Sequence, residues 1–140
     1  MTKYKAQQDE MGCGVACVAN KLDISYDQAL KLFEYPEDAK TVGYKCKYIV
    51  SALRSAGLDV RLRHIKAADR DEVMQGNVHI PVGAIVFLEK SELYPFQHYL
   101  VKVDDGWLDP WINMHDDPDV THAKAGIRKH LPGRPYYAIL

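Results

Sequence analysis

The spacing of apolar residues divides the chain into a helical first part and a sheet-forming second part. Apolar residues are almost continuous from Cys13 to about Lys21, which predicts a mostly buried helix that begins near Gly12. The stretch "SYDQ" offers at Ser25 the Ser-x-x-Gln pattern of a capping box and predicts a second helix, which includes "ALKLF" and ends before Pro36. Apolar residues at three-and-four spacing predict a third helix from about Tyr44 to Ala56.

After Gly57, which supplies a helix stop, the apolar period shortens to two. Residues 58–63 alternate apolar and polar, as expected of a strand with one face in water. "VGAIVFLE" is apolar on both faces and predicts a central strand. "HYLVKV" and "WLDPW" flank a short turn at 104–106 and predict a hairpin, and "YYAIL" is a further strand candidate. Helices followed by strands indicate an α+β fold.

Composition narrows the class of protein. The 140 residues fit one domain spanning 1–140, and 47% hydrophobic residues are enough for an ordinary core. The 18 basic and 19 acidic residues are interspersed and nearly cancel, so we expect no nucleic-acid partner. No apolar run approaches the roughly 18 to 20 residues of a membrane span, and "MTKYKAQQDE" lacks the apolar centre of a secretory signal. We expect a soluble, cytoplasmic protein; no pattern indicates its oligomeric state.

Three cysteines are an odd number, which argues against a closed disulfide framework. Cys13 lies at the predicted start of a helix, where unpaired N–H groups and the helix dipole stabilise a thiolate. Gly12 and Gly14 would let the backbone turn there and let a substrate come close. Cys17, one turn further among Val and Ala, is assigned to the core. A buried hydrophobe is the usual role of an intracellular cysteine, so Cys13 needs a partner base to count as a nucleophile.

The best candidate base is His98, which opens an apolar strand. A tight turn near Asp105 would bring residues whose numbers sum to about 210 opposite each other, and so set His98 near Trp111 or Ile112. Asp109 then lies a couple of residues along the partner strand, where its carboxylate can meet the imidazole. Taken alone, a histidine at a strand start is more often structural. The combination of Cys13, His98 and Asp109 is what indicates nucleophilic catalysis.

Metal binding is the main chemical alternative for the Cys-x-x-x-Cys pair. No further cysteine follows closely, and no two of the six histidines lie three to five residues apart. His115, with Asp116, Asp117 and Asp119, is interpreted as part of an acidic surface loop. The sequence therefore predicts neither a metal nor another cofactor.

The motifs resemble the double-glycine peptidases, which are papain-like cysteine peptidases that process bacteriocin precursors and usually form the amino-terminal domain of an ABC exporter. Their signature has a Gln six positions before the nucleophile and Cys-Gly-x-Ala-Cys at the start of a helix. Later come a His at the start of an apolar strand and an Asp-Pro about ten residues on. The matching residues here are Gln7, Cys13, Gly14, Ala16, Cys17, His98, Asp109 and Pro110.

The resemblance spans the chain and implies a papain-like fold, with the nucleophile helix packed on a carboxy-terminal antiparallel sheet. It implies Cys13 as nucleophile, His98 as general base and then acid, and Asp109 as the group that orients the imidazole. Gln7, or alternatively Gln8, would donate a side-chain N–H to the oxyanion. The implied substrate is a peptide or protein, cleaved after small residues such as Gly.

Two departures from the family pattern stand out. Gly12 occupies the position where the family usually has Asp, and no transmembrane segment or nucleotide-binding motif accompanies the domain, so the exporter's substrate is not carried over. Two alternatives stay open: another acyl transfer, as in transglutaminases, deamidases and isopeptidases, and a non-catalytic module of the same fold that only holds a peptide. Trp107, Trp111 and "ELYPFQHY" are candidates for a peptide groove or for the core.

Overall fold

A computed structural model describes residues 4–96 and 98–140 of the chain. Within these residues four α-helices precede or interrupt a six-stranded sheet, and all strand pairs of the sheet are antiparallel. The helices are α1 (Cys13–Leu22), α2 (Tyr26–Leu30), α3 (Cys46–Ser55) and α4 (Arg70–Met74). The strands are β1 (Leu62–His64), β2 (Ile85–Leu88), β3 (His98–Val103), β4 (Gly106–Asp109), β5 (Gly126–Arg128) and β6 (Pro135–Ile139). The predicted α+β class is confirmed; α4 and β5 were not predicted.

The capping box at the start of α2 is confirmed. Ser25 Oγ accepts from the backbone N–H of Gln28 at 3.0 Å, and Gln28 Oε1 accepts from the N–H of Ser25 at 2.9 Å. The helix is shorter than predicted, because the N–H groups of Leu32 and Phe33 bond three residues back rather than four. The chain therefore leaves α2 through tight turns of the 3₁₀ type.

The sheet has the strand order β1-β6-β2-β3-β4-β5. The prediction of a central strand is confirmed, since β2 lies between β6 and β3. The strand predicted over 58–63 is confirmed only at its end, because residues 58–61 are not part of the strand, although Val60 is buried. The observed β1 starts at Leu62, pairs with β6 at the edge of the sheet, and has all three of its residues exposed.

The predicted hairpin is formed by β3 and β4. Val101 pairs with Leu108 and Val103 with Gly106, so that paired residue numbers sum to 209, one less than predicted. Continued by one residue, this register sets Asp109 opposite Leu100 and diagonal to His98, on the same face of the sheet. The turn thus fixes the relative position of the two predicted catalytic side chains.

Helix α1 packs on β3 and on α2, with its Val and Ala side chains fully buried. Cys17 is 0% exposed, which confirms its assignment to the core. A second apolar cluster covers the other face of the sheet and includes Tyr94, Leu100 and Trp107. In the part of the chain described here, no helix is both long and apolar enough to cross a membrane.

Candidate active site

Cys13 is the first residue of α1, where backbone N–H groups have no acceptor within the helix. The glycines beside it serve packing. A Cβ on Gly12 would lie 2.0 Å from the hydroxyl of Tyr26, and a Cβ on Gly14 would lie 2.9 Å from Cδ1 of Ile49. The interpretation of Gly14 as room for a substrate backbone is therefore wrong, because a core side chain already fills the space beside it.

His98 lies between the predicted nucleophile and the predicted orienting carboxylate. Its Nε2 is 2.8 Å from Oδ1 of Asp109, and its ring is hydrogen-bonded to the side chain of Cys13. Because Nε2 faces Asp109, the imidazole has Nδ1 left for the thiol. The structure thus brings together the three residues, which are remote from one another in the sequence.

The protonation of His98 is set by opposing effects. Burial lowers its pKa, but the charge of Asp109 and the hydrogen bond to it raise the pKa by more, and Cys13 adds to this rise. The net result is that the pKa of His98 is raised to about 9. The imidazole is therefore held as an imidazolium at neutral pH.

Asp109 is fully buried, and each of its oxygens accepts two hydrogen bonds. Oδ1 accepts from His98 and from the backbone N–H of Trp111 at 3.0 Å. Oδ2 accepts from the hydroxyl of Tyr94 at 2.6 Å and from Nε of Arg128 at 2.8 Å. Burial raises the pKa of Asp109, yet the charge of His98 and the hydrogen bonds lower it by more, to well below its usual range.

Sequence reasoning missed Tyr94 and Arg128 as members of this site. Tyr94 was included only in a segment that could line a groove or belong to the core, and Arg128 was not singled out. The ring of Tyr94 stacks on His98, with 4.0 Å between centroids and an angle of 8° between the planes. Nη2 of Arg128 donates to the Tyr94 hydroxyl at 2.9 Å, which closes a ring of contacts around Asp109.

Gln7 lies in the wall of the site and is almost fully buried. Its backbone N–H donates to the carbonyl of Pro110 at 3.1 Å, which ties this segment to the end of β4. Its side-chain Nε2 donates to the carbonyls of Asp9 at 3.0 Å and Glu10 at 3.1 Å. Donation to an oxyanion would therefore require one of these N–H groups to be shared or redirected. Gln8 is exposed and does not line the cavity that contains Cys13.

Cys13, His98 and Gln7 line one cavity of about 390 Å³. Its other walls are mainly apolar, with the carboxylates of Glu10 and Glu92 among the exposed residues. The sequence segment before His98 does contribute to the wall, and so does Trp111, whereas Trp107 belongs to the core. The apolar lining residues are Met11, Leu93, Tyr94, Pro95, Phe96, Trp111, Met114 and Pro118.

The other two cysteines lie in settings that disfavour a thiolate. Burial raises the pKa of Cys17 well above its usual value, and the charges of Cys13 and Asp109 raise it further. Burial also raises the pKa of Cys46, although a hydrogen bond from Tyr99 works in the opposite direction. Neither residue lines the cavity.

The acidic loop predicted around His115 is largely exposed. Asp119 Oδ1 accepts from the N–H of Thr121 at 3.0 Å, and Asp117 Oδ2 lies 3.1 Å from Nδ1 of His122. Across residues 4–96 and 98–140, no group of three or more His, Cys, Asp or Glu side chains is arranged to hold a metal ion. His115 itself lines the cavity beside Cys13.

Helix α1 opens with Cys13 and packs on an antiparallel sheet that carries the His98–Asp109 pair, as expected of a papain-like fold. No protein-family model matches the chain, and no curated protein matches it. The fold is similar to the crystal structure of the peptidase domain of Streptococcus ComA, a bi-functional ABC transporter involved in a quorum sensing pathway. The TM-score is 0.55 at 19% sequence identity, and the match covers 100% of this chain and 97% of that chain. The papain-like fold predicted from the sequence is confirmed.

Proposed function

We propose that this protein is a cysteine peptidase of the papain-like kind, with Cys13 as nucleophile, His98 as general base and acid, and Asp109 as the orienting group. The observation that carries the proposal is the position of His98. It is hydrogen-bonded to Asp109 on one side and to Cys13 on the other, at the wall of an open cavity. This is the arrangement that nucleophilic catalysis by a thiol requires.

In the first half of the reaction the Cys13 thiolate attacks the peptide carbonyl carbon, and the C=O electron pair moves to oxygen. The tetrahedral intermediate collapses as His98 gives its proton to the leaving amine and the C–N bond breaks. In the second half His98 removes a proton from water, which attacks the thioester. The S–C bond then breaks, the acid product leaves and the thiolate is restored.

The oxyanion would be stabilised by the backbone N–H of Cys13 and the side chain of Gln7. Gln7 is supported by its place in the cavity wall, although its Nε2 is engaged by two carbonyls in the absence of substrate. Gln8 is a weaker candidate because it is exposed and outside the cavity.

We propose a peptide substrate, held in the cavity and cleaved after a small residue such as Gly. The likeness to a peptidase domain supports the reaction class, and the apolar walls offer a surface for side chains near the scissile bond. Transfer of the acyl group to another acceptor would use the same first half-reaction. A module that only binds peptide is disfavoured by the contact between Cys13 and His98, which binding alone does not need.

The test is to profile a peptide library with wild-type protein and with Cys13→Ala, and to measure alkylation of each cysteine by iodoacetamide at neutral pH. We expect cleavage and fast labelling of Cys13 in the wild type, and neither in Cys13→Ala. Cys46→Ala is the matched control, since it removes a thiol that lies outside the cavity. Turnover by Cys13→Ala at the wild-type rate would overturn the assignment. Labelling of Cys13 without hydrolysis would favour another acyl transfer.

A further inference from the structure

Asp109 is held by more donors than the orientation of a histidine requires. A carboxylate that only fixes an imidazole needs a single short contact, here the one at 2.8 Å to Nε2 of His98. The opposite oxygen, Oδ2, accepts two further bonds, from the Tyr94 hydroxyl at 2.6 Å and Arg128 Nε at 2.8 Å. Because Asp109 is fully buried, these bonds replace water that the carboxylate has lost.

The position of Arg128 is itself fixed. It lies on β5, where Gly126 pairs with Asp109 and Arg128 pairs with Trp107. Its Nη2 also contacts the carbonyl of Ile112 at 3.4 Å, so the guanidinium bridges β4, the loop that follows and Tyr94. About a quarter of its side chain is exposed, which leaves its charge partly screened by solvent.

Tyr94 acts on two members of the triad at once. Its ring covers one face of the His98 imidazole at 4.0 Å, and its hydroxyl is bonded to Asp109. The segment that holds Tyr94 is closed by two hydrogen bonds with Ser91, from Tyr94 N–H to Ser91 Oγ at 3.2 Å and from Ser91 N–H to the Tyr94 carbonyl at 3.0 Å. Rotation of the imidazole out of line would break the stack.

We infer that Tyr94 and Arg128 are positioning residues of the reaction: Tyr94 fixes the plane of the His98 ring, and Arg128 holds Asp109 ionised and in place. The inference rests on the proposed function, because it concerns how the thiol of Cys13 is activated. Tyr94 acts through geometry and Arg128 through both geometry and charge, so different substitutions separate the two roles.

The charge of Arg128 has a consequence of definite sign. Removal of a nearby positive charge makes the loss of a proton less favourable at every neighbouring acid. The pH at which Cys13 becomes reactive should therefore rise when Arg128 is made neutral. Besides the three members of the triad, the titratable and charged groups around it are Cys17 of α1, Tyr94, Tyr99 of β3, Arg128 of β5, and Glu10, Glu92 and His115 in the cavity wall.

The first experiment measures the rate of Cys13 alkylation by iodoacetamide for two Tyr94 variants. Tyr94→Phe keeps the ring and loses one hydrogen bond, so we expect the rate to fall about five- to tenfold. Tyr94→Leu loses the ring stack as well, so its alkylation rate should be at least a further threefold lower. A higher rate in Tyr94→Phe than in Tyr94→Leu would show that the aromatic ring positions His98. The matched control is Tyr44→Phe, which removes an equally buried hydroxyl that donates to the Tyr35 carbonyl away from the triad.

The second experiment records the alkylation rate against pH for Arg128→Gln and Arg128→Lys. In Arg128→Gln the acid limb of the pH–rate profile should move to higher pH by about half a unit, because a positive charge near the site is lost. Arg128→Lys keeps the charge but loses the paired guanidinium contacts to Asp109 and the Tyr94 hydroxyl. The acid limb of the pH–rate profile should therefore stay in place, and the maximal alkylation rate should fall. Arg134→Gln is the control, because Arg134 is a cation paired with Asp71 and Glu89 outside the cavity.

The outcomes separate this inference from the proposed function. A wild-type Cys13 that reacts no faster than Cys46 would contradict the proposed function and the inference with it. Two results in a protein whose wild-type Cys13 is reactive would contradict the inference alone. One is an acid limb of the pH–rate profile that does not move in folded Arg128→Gln. The other is equal alkylation rates in the wild type, Tyr94→Phe and Tyr94→Leu. Circular dichroism establishes which variants are folded; if Arg128→Gln is not, the Arg128→Lys plateau and the Tyr94 pair decide.

Discussion

Nε2 of His98 lies 2.8 Å from Oδ1 of Asp109, and the carboxylate of this pair has no contact with solvent. A buried carboxylate beside a ring N–H fixes both the tautomer and the orientation of the imidazole. The pair is positioned by the β3–β4 hairpin, so neither side chain depends on a flexible loop for its place.

Asp109→Asn should therefore lower kcat/KM for a cleaved peptide by about 10²- to 10⁴-fold. The amide lacks the negative charge that favours the imidazolium. In addition, its NH₂ group would oppose an N–H donor in either orientation, that of His98 in one and that of Arg128 in the other. Asp105→Asn is the matched control, since it makes the same chemical change at an exposed turn of the hairpin. Equal kinetics of Asp109→Asn and Asp105→Asn would show that Asp109 has no part in the reaction.

The raised pKa of His98 links stability to pH. Below its ordinary value near 6.5 the imidazole is protonated in both the folded and the unfolded chain, so its stabilising effect is fully present. Between about 6.5 and 9 the folded protein keeps a proton that the unfolded chain has lost. The contribution of His98 to the free energy of unfolding should therefore fall as the pH rises through this window.

Urea denaturation at several pH values measures this effect. The difference in unfolding free energy between wild type and His98→Gln should shrink with rising pH, by up to about 1.4 kcal/mol per pH unit. His79→Gln, at an exposed position, is the control. A difference that stays constant from pH 6 to 9.5 would contradict the assigned ionisation of His98.

The convergence of Cys13, His98 and Asp109 was predictable because each of these residues lies in a regular element that the sequence indicates. Cys13 opens a helix marked by apolar residues. His98 and Asp109 belong to a hairpin whose turn is indicated by the sequence Asp-Asp-Gly at 104–106. Tyr94 and Arg128 were not predictable for the opposite reason. Tyr94 lies in an irregular segment between β2 and β3, and Arg128 in a three-residue strand that is only half buried and has no clear period.

Gln7 and Gln8 can be told apart by their effect on turnover. Gln7→Ala should lower kcat by about 10²- to 10³-fold if its amide stabilises the oxyanion, as removal of one such donor does elsewhere. Alkylation of Cys13 forms no oxyanion, so its rate should change little. Gln8→Ala should change neither quantity. A Gln7→Ala variant that is folded and keeps the wild-type kcat would leave the oxyanion to backbone donors alone.

Phe96 is 69% exposed although it lines the cavity beside Cys13. A large apolar side chain at such a place gains free energy when a substrate covers it. Phe96→Ala should therefore raise KM about three- to tenfold, while the alkylation rate of Cys13 stays unchanged. Val82→Ala is the control, since Val82 is 60% exposed and outside the cavity. An unchanged KM across several peptides would mean that substrate does not cover Phe96.

A steric reason for glycine at position 12, where the double-glycine peptidases that the sequence resembles usually have Asp, can be tested. Its φ of −93° is open to any residue, so backbone strain is not the cause. A Cβ there would instead lie 2.0 Å from the hydroxyl of Tyr26, which is bonded to Asp9 at 2.8 Å. An aspartate, as in the family, would meet the same obstacle.

Gly12→Ala should reduce the free energy of unfolding by about 1 to 3 kcal/mol, as overpacking of a filled site does. Tyr26→Phe removes the obstructing oxygen at the cost of one hydrogen bond, about 1 kcal/mol. The double variant should therefore lose at least about 1 kcal/mol less than the sum of the two single variants. Urea denaturation of the four proteins completes the cycle. Strictly additive losses would show that the Tyr26 hydroxyl is not the reason for glycine at position 12.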